Sequence, residues 1–463
     1  MIGSVTPKRG VGKGTLYFFG ALGGILFGYD LGVIAGILVL LAKDWHLSPF
    51  AKGAVTASLS VGAMLGAAFA GRLADRIGRR RTIMIAAVIV ILGTLGCMAS
   101  SGVTAMVIAR GVLGIGIGCS SATVPTYLSE LAPARLRGAM ASLNQIFIVS
   151  GILIAFLVDY WLASSGNWRG MFAGALVPAV VLLIGLQLLP ETPRWLLAAG
   201  REEDARAVLT STHGADGADG EIATIREVIR SDSEQRGRVR DLWAPWVRPM
   251  LFVALILAIG QQFSGVSAIN TYFPTMLVSL GFTTRSALLS AVVLGVTKLL
   301  FTAWVVFVVD RWGRKPLLLL GNIIMAVTLV ATGFVVLDVH DKSLLGSLTL
   351  VLLILYLAGY ELGWGAVVWV MMAEIFPMRL RAVGMGVGSV VLWAATGIIA
   401  AVFPTMSDPH KLGLGHSMWV FAAVNILLFV LVLRLVPETK GRSLEQIELD
   451  LRDRVPFATK VEV

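Results

Sequence analysis

Four charged residues lie within long apolar stretches of the chain: Asp30, Arg110, Lys298 and Glu361. On insertion scales a charge at mid-bilayer costs about 2.5–3.5 kcal/mol, so such residues usually line a cavity or pair with one another. A carboxylate that water can reach, and that has a movable cationic neighbour, gains or loses a proton as the cation withdraws or approaches. These residue types could therefore couple proton flow to the movement of a solute.

Helix rise places the four charges in two pairs of matching depth. At 1.5 Å per residue, Asp30 lies about 22 Å along its apolar run and Arg110 about 30 Å back from the end of its own, so the two can meet. The same count puts Lys298 about 18 Å and Glu361 about 20 Å from the ends of their runs. Either pair could instead be a purely structural ion bridge, and depth alone leaves that alternative open.

Uncharged polar residues and two tryptophans share these apolar runs. They are Asn144, Gln145, Gln261, Gln262, Ser267, Asn270, Trp369 and Trp393. Amides provide both hydrogen-bond donors and acceptors, and an aromatic face packs against the C–H face of a pyranose or polyol. This lining suits a neutral hydroxylated solute. In the alternative interpretation, the amides join helices and the tryptophans anchor the protein in lipid.

Twelve apolar runs, each about 20 residues or longer, supply the elements that must position these side chains. The runs are 16–41, 54–73, 83–100, 103–127, 139–163, 168–189, 250–278, 286–309, 317–337, 344–372, 383–406 and 415–436. With 57% apolar and only 14% charged residues, the chain cannot face water on every side. We predict an all-α membrane protein with 12 transmembrane helices and no cleaved signal peptide.

The formal net charge is +10, and the distribution of the Lys and Arg residues indicates the orientation of the chain in the membrane. Of the 38 Lys and Arg residues, 29 lie in segments on the side of the two termini, 6 on the opposite side and 3 within the runs. Both termini are therefore predicted to be cytoplasmic, in a multi-pass protein of the cell membrane. Because the basic residues are spread over many segments and form no single patch, the pattern argues against a nucleic-acid partner.

Three short segments recur in the two halves of the chain. Glu130–Arg137 returns as Glu374–Arg381, Asp75–Arg80 as Asp310–Lys315, and Pro190–Thr192 as Pro437–Thr439. The repeat predicts two six-helix bundles, 1–193 and 249–437, joined by a cytoplasmic helical linker at 194–248 and followed by a tail at 438–463. Parallel repeats of this kind place a substrate site between the bundles near the midplane.

The linker and the remaining motifs indicate no catalytic or metal-binding chemistry. Within the linker, Glu202–Leu209 and Glu221–Arg236 are predicted to be short amphipathic helices separated by a turn at Gly214–Gly220. Gly10–Thr15 resembles a phosphate-binding loop but lacks its first Gly and the Ser or Thr after the Lys, which argues against ATP-driven pumping. The cysteines and histidines offer no metal spacing. We expect a non-enzyme with no catalytic residue, no metal and no cofactor beyond a coupling proton.

The sequence resembles the sugar porter family of the major facilitator superfamily over nearly its whole length. The matching segments are Gly28–Asp30, Gly71–Arg80, Arg110–Gly111, Glu130–Arg137, Pro190–Arg194, Gln261–Gly265, Glu374–Arg381 and Pro437–Arg442. The resemblance implies the major facilitator fold and transport by alternating access. Proton-coupled members are similar in having Asp at the position of Asp30 and pairing it with the Arg matched by Arg110. Facilitators commonly carry Asn there, so the resemblance favours symport.

The resemblance also implies roles for individual side chains. The implied sugar contacts are Gln145, Gln261, Gln262, Trp369 and Trp393. The implied cytoplasmic gate consists of Arg and Glu residues that bridge the halves in the outward-facing carrier, namely Arg79, Glu130, Arg137, Glu191, Arg314, Glu374 and Arg381. Departures from the family pattern cluster at the pocket, where amides are replaced by Ser267, Lys298 and Leu392 and a proline by Ala366. These departures distinguish the pocket from that of typical hexose porters.

We therefore expect a proton-coupled symporter that imports a sugar or a related polyol such as inositol, with Asp30 and Arg110 in proton coupling. The remaining members of the predicted substrate site are Ser267, Asn270, Lys298 and Glu361. The expected partners are the solute and the lipid bilayer, and the functional unit is a monomer. Two alternatives stay open: a transporter of an acidic sugar-like substrate with Lys298 as counter-ion, and a facilitative sugar uniporter. A nutrient sensor is disfavoured, because the tail is too short for a signalling domain.

Overall fold

The computed structural model describes residues 13–132, 137–213, 215–234, 239–440 and 446, and these contain helices and no strand. Before the linker lie α1 (Lys13–Asp44), α2 (Pro49–Ile77), α3 (Arg79–Ala99), α4 (Val103–Leu131), α5 (Arg137–Leu162), α6 (Trp168–Ala173) and α7 (Leu176–Leu188). The linker holds α8 (Pro193–Ala198), α9 (Glu202–His213) and α10 (Ala215–Glu234). After it come α11 (Arg248–Phe263), α12 (Val266–Ser279), α13 (Thr284–Trp312), α14 (Arg314–Asp338), α15 (Lys342–Tyr360), α16 (Ala366–Ile375), α17 (Met378–Met406) and α18 (Gly413–Leu435).

Twelve helical segments in this part of the chain are long and apolar enough to cross a membrane, which confirms the number predicted. Several helices begin before the apolar run because a polar cap sets the helix start. Ser48 caps α2, Thr283 caps α13 and Asp341 caps α15, each accepting a hydrogen bond from a backbone N–H three residues on. An even number of crossings puts the first and last helix ends on one side, called the inner side below, and the other side is the outer side.

Three of the twelve spans are interrupted within the apolar region. The sixth is divided into α6 and α7. The seventh is divided at Gly265, whose φ is +109°. This backbone conformation is unfavourable for a residue with a side chain, so a glycine is required. The tenth contains a five-residue π-helical segment, Glu361–Gly365, between α15 and α16. Breaks of this kind free backbone carbonyls at membrane depth, where other protein groups must satisfy them.

The structure of the linker contradicts one prediction made from the sequence. The turn predicted at Gly214–Gly220 is wrong for residues 215–220, which form the first turns of α10, while Gly214 lies outside the described residues. Ala218 and Ile222 pack with Leu209 of α9 in a small buried cluster. Burial of this apolar face outweighs the low helix propensity of the glycines in the segment. Helix α9 therefore ends later, and helix α10 begins earlier, than the sequence predicted.

Close helix contacts dominate the packing, and the clearest joins α1 to α5. A glycine occurs at every fourth position of α1, at Gly24, Gly28, Gly32 and Gly36, and each faces α5. A Cβ at Gly28 would overlap the carbonyl oxygen of Ile148, so the two backbones are in direct contact. Small residues at such spacing let membrane helices approach closely and gain van der Waals contact. Across the halves, α2 packs on α17, α5 on α13 and α1 on α12. The bundle boundaries at 193, 248 and 437 stay a prediction.

Replacing Gly28 by Leu is expected to destabilise the protein by about 1–3 kcal/mol or more, because the side chain must push α5 away from α1. The measurement is the thermal unfolding midpoint of the purified protein in detergent. The matched control is Gly386→Leu in α17, where a Cβ meets nothing within 4 Å. Equal losses in the two variants would contradict the role assigned to the α1–α5 contact.

Candidate functional site

Asp30 and Arg110 both lie in the interior, with exposed fractions of 1% and 2%. They are close enough to interact electrostatically, but among the described residues neither forms an ion pair within 4.0 Å. The Arg110 side chain instead donates from Nε to the carbonyl oxygen of Val55 in α2 at 2.8 Å. Oδ2 of Asp30 is buried and has no hydrogen-bond partner. The structure therefore brings the predicted pair to one region without joining the two side chains.

A contact between the two halves lies directly beside the Arg110 acceptor. Thr56 follows Val55 in α2, and its hydroxyl is hydrogen-bonded to the hydroxyl of Tyr272 in α12. Both hydroxyls also contact the carbonyl oxygen of Ala400 in α17, at 3.3 Å from Thr56 and 2.6 Å from Tyr272. These residues lie towards the outer ends of their helices, so they hold the halves together on that side. Sequence reasoning missed this contact, although Tyr272 is a hydroxyl-bearing residue in an apolar run.

Lys298 and Glu361 form a buried ion pair, with Nζ and Oε1 separated by 3.0 Å and each residue 3% exposed. Lys298 also donates to Oδ1 of Asn270 at 3.2 Å. The second carboxylate oxygen, Oε2 of Glu361, accepts a hydrogen bond from the Thr302 hydroxyl at 3.0 Å. Each charge thus has its counter-charge and a further polar partner, which is the condition under which a buried pair is tolerated. The cluster as a whole is neutral.

Gln261 is bound to the break in the tenth span. Its Nε2 donates to the carbonyl oxygens of Trp364 at 2.6 Å and Gly365 at 3.3 Å. These carbonyls belong to the end of the π-helical segment, where the regular α-helical pattern is interrupted. Gln262 donates weakly to Oε1 of Gln261 at 3.4 Å. The glutamine pair therefore has a structural partner in the π-helical segment, and this segment forms with Ala366, not a proline, after Gly365.

The other predicted substrate residues occupy different environments. Trp393 is buried, and its ring lies 5.6 Å from that of Phe27 in α1, so it joins the halves and does not face lipid. Trp369 and Gln145 are partly buried. Ser267 makes one long hydrogen bond, 3.5 Å, to the carbonyl oxygen of Thr396. Contact of these side chains with a substrate stays a prediction.

The repeated motifs form the same network in each half at the inner side. In the first half, Arg79 pairs with Glu130 at 3.1 Å, and Glu191 accepts hydrogen bonds from the backbone N–H groups of Arg79 and Arg80. Those N–H groups are at the start of α3, where no residue of the helix can satisfy them. Burial raises the pKa of Glu191, and these backbone hydrogen bonds together with the Arg79 charge oppose that rise.

In the second half, Arg314 pairs with Glu374 at 3.0 Å. Glu438 accepts hydrogen bonds at 3.0 Å from the backbone N–H groups of Arg314 and Lys315, at the start of α14. Each of the ion pairs described joins helices of one half only. Arg381 interacts electrostatically with Glu374, and the Arg137 side chain lies outside the described residues. Bridging between the halves by the predicted gate residues therefore stays a prediction.

Asp159 in α5 is a buried charged side chain that the sequence reasoning missed. Its Oδ2 accepts a hydrogen bond from the backbone N–H of Gly36 in α1 at 3.1 Å. The signal that could have found it is a carboxylate inside the fifth apolar run, 139–163. The structure places it in the α1–α5 contact.

Comparison with known proteins identifies the family. A family model described as "Sugar (and other) transporter" matches residues 16–451. The chain belongs to the sugar porter family of the major facilitator superfamily. The glucose transporter GlcP of Staphylococcus epidermidis is 39% identical over 448 residues, which cover 97% of this chain and 99% of GlcP. The major myo-inositol transporter IolT of Bacillus subtilis is 38% identical over 446 residues, covering 95% of this chain and 94% of IolT.

A solved structure agrees with this assignment. The xylose transporter XylE from E. coli, in a partially occluded inward open conformation, matches with a TM-score of 0.80 at 30% identity, over 93% of this chain and 99% of XylE. XylE is described as a proton:xylose symporter. The chain is thus a multi-pass sugar porter and not an enzyme.

Removing one member of the Lys298–Glu361 pair is expected to cost about 3–5 kcal/mol of stability, because the other charge stays buried and unpaired. The double variant Lys298→Met with Glu361→Gln should recover most of that loss. A double-mutant cycle on the unfolding free energy in detergent measures the coupling. The control cycle uses the exposed linker pair Arg226 and Glu202, for which about 0.2–1 kcal/mol is expected. A coupling as small as that of the control would show that the buried pair is not an interacting unit.

Proposed function

We propose that this sugar porter is a proton-coupled symporter that imports a sugar or a related polyol by alternating access, with both termini in the cytoplasm. The observation that carries the proposal is the state of Asp30. It is a buried carboxylate with an unpartnered oxygen, near a cation to which it is not bound. Such a carboxylate has two alternative means of neutralisation, a proton or an approach of Arg110. Exchange between the two is the elementary step of proton coupling.

The position of Arg110 suggests how that exchange reaches the helices that move. With a proton on Asp30, the guanidinium stays bound to the Val55 carbonyl in α2. Loss of the proton creates an anion that attracts Arg110 away from that carbonyl. Val55 adjoins Thr56, whose hydroxyl joins α2 to Tyr272 across the halves. Proton release therefore acts on the residue next to the contact that closes the outer side.

The Lys298 cluster supports a neutral substrate over an acidic one. The Lys298 ammonium is already neutralised by Glu361 at 3.0 Å and bound to Asn270. An anionic substrate would have to displace Glu361, leaving that carboxylate buried without its counter-charge. A hydroxylated solute can instead donate to Glu361 and accept from Lys298 without breaking the pair. The glucose, myo-inositol and xylose named for the relatives are hydroxylated solutes of this kind.

The variant Asp30→Asn is expected to lose accumulation of substrate driven by an imposed pH gradient, because the amide cannot carry the proton. Equilibrium exchange of labelled for unlabelled substrate should continue, since the helices can still alternate around a neutral side chain. Both are measured in proteoliposomes. The matched control is Asp338→Asn, an exposed carboxylate at the end of α14. Gradient-driven accumulation by Asp30→Asn would exclude the proton assignment.

A substrate panel separates the two chemical classes. Wild-type proteoliposomes are offered labelled hexoses, pentoses, inositols and sugar acids, with and without the pH gradient. We expect a neutral sugar or polyol to accumulate, because Glu361 already serves as the counter-charge of Lys298. Preferred uptake of a sugar acid would reverse the role assigned to Lys298. Uptake that equilibrates but never concentrates would identify a uniporter.

A further inference from the structure

Asp159 is fully buried, with an exposed fraction of 0%, and it fills the space that a side chain at Gly36 would need. Its two oxygens have unequal environments. Oδ2 accepts a hydrogen bond from the Gly36 N–H at 3.1 Å, whereas Oδ1 has no hydrogen-bond partner. An ionised carboxylate would spread its charge over both oxygens and leave one of them unsolvated in an apolar contact. A neutral carboxylic acid instead accepts the Gly36 N–H at its carbonyl oxygen and leaves an uncharged O–H at Oδ1. An unpartnered neutral hydroxyl costs far less than an unpaired buried charge.

No cation neutralises Asp159 within the described part of the chain. The ionisable residue that interacts with it from α1 is Tyr29, whose hydroxyl donates to the Met171 carbonyl at 2.8 Å. Arg169 of α6 donates to the carbonyl oxygens at the end of α3. Arg285 of α13 is exposed and lies over the ring of Tyr160. None of these groups forms an ion pair with Asp159 within 4.0 Å.

The surrounding contact leaves little room for water beside Asp159. Gly32 of α1 faces Ala155 of α5, where an added Cβ would come within 2.9 Å of the alanine methyl. Gly36 is the next glycine along α1, and a Cβ there would overlap the Asp159 carboxyl group itself. The carboxyl group therefore lies at the outer end of a tightly packed glycine contact. A buried ion without a partner or water is the least favourable state for it.

We propose that Asp159 is a second proton-binding site of this transporter, occupied while α1 and α5 are in contact. Its proton keeps the carboxyl group neutral, which stabilises the close approach of the two helices. Loss of that proton places an unpaired anion in the contact and favours separation of α1 from α5. The site is separate from Asp30 and does not depend on the role proposed for that residue. It gives the stability of the transporter a pH dependence of its own.

The test compares the wild type with Asp159→Asn, because an amide has the shape of a carboxylic acid and no proton to lose. Thermal unfolding midpoints are measured in detergent from acidic to alkaline pH. We expect the two proteins to match at acidic pH, and the midpoint of the wild type to fall further than that of the variant as pH rises. Asp338→Asn serves as the control and should follow the wild type at every pH.

Infrared difference spectra supply an independent readout. The carbonyl band of a protonated carboxylic acid should be present at neutral pH in the wild type and in Asp30→Asn, and its intensity should fall in Asp159→Asn. An unchanged band in Asp159→Asn would overturn the proposal, as would identical pH profiles of the unfolding midpoint.

Asp159→Ser provides a second neutral variant. If both neutral variants fail to fold at acidic pH, where the wild type is stable, the bound carboxyl group is not neutral and the proposal is wrong. Because no readout here is transport, failure of this site and failure of the Asp30 assignment are distinguishable.

Discussion

Direct contact between helix backbones is the constraint on which the other features of this protein depend. Lipid is as apolar as a leucine side chain, so burial of apolar surface does not drive membrane helices together, and van der Waals packing must do so. The glycines of α1 that face α5 allow that packing, and Gly62 and Gly114 do the same between α2 and α4. Contacts this close exclude water, so any polar group within them must be satisfied by the protein itself.

Three buried carboxylates meet this constraint in different ways. Glu361 has Lys298 as a counter-ion and Thr302 as a hydrogen-bond donor, so both of its oxygens have partners. Asp159 has one backbone donor and no cation in the described chain. Asp30 lies between these extremes, because Arg110 is near but is bound to the Val55 carbonyl. Only a carboxylate in this intermediate position can change its charge at small cost, which is the property that coupling to a proton gradient requires.

Hydropathy was sufficient to predict the twelve helices, because each span must satisfy its backbone internally over the thickness of the bilayer. The charge distribution predicts the cytoplasmic location of the termini, which stays a prediction. The depth count was also informative for Lys298 and Glu361, which form an ion pair, since two charges at one depth in an apolar region have few other partners.

The depth count was less informative for Asp30 and Arg110. The depth of a residue does not say which way its side chain points around the helix axis, and it ignores backbone carbonyls as hydrogen-bond acceptors. The acceptor of Arg110 is such a carbonyl, that of Val55 in α2. The interruption of the tenth span at Glu361–Gly365 could not be predicted from the sequence either, because the segment contains no proline.

The repeated motifs join helices within each half at the inner side. In both halves the Arg of one motif pairs with the Glu of another, and the Glu of a third binds the first N–H groups of a helix. These interactions fix the inner ends of helices within a half and leave the boundary between halves free of the ion pairs described. On the outer side the halves are joined through Thr56 and Tyr272. Separation of the outer ends would have to break this hydroxyl contact together with the close packing of α2 on α17, where a Cβ at Gly53 would overlap the carbonyl oxygen of Ala401. The hydroxyl contact adjoins Val55, to which Arg110 is bound.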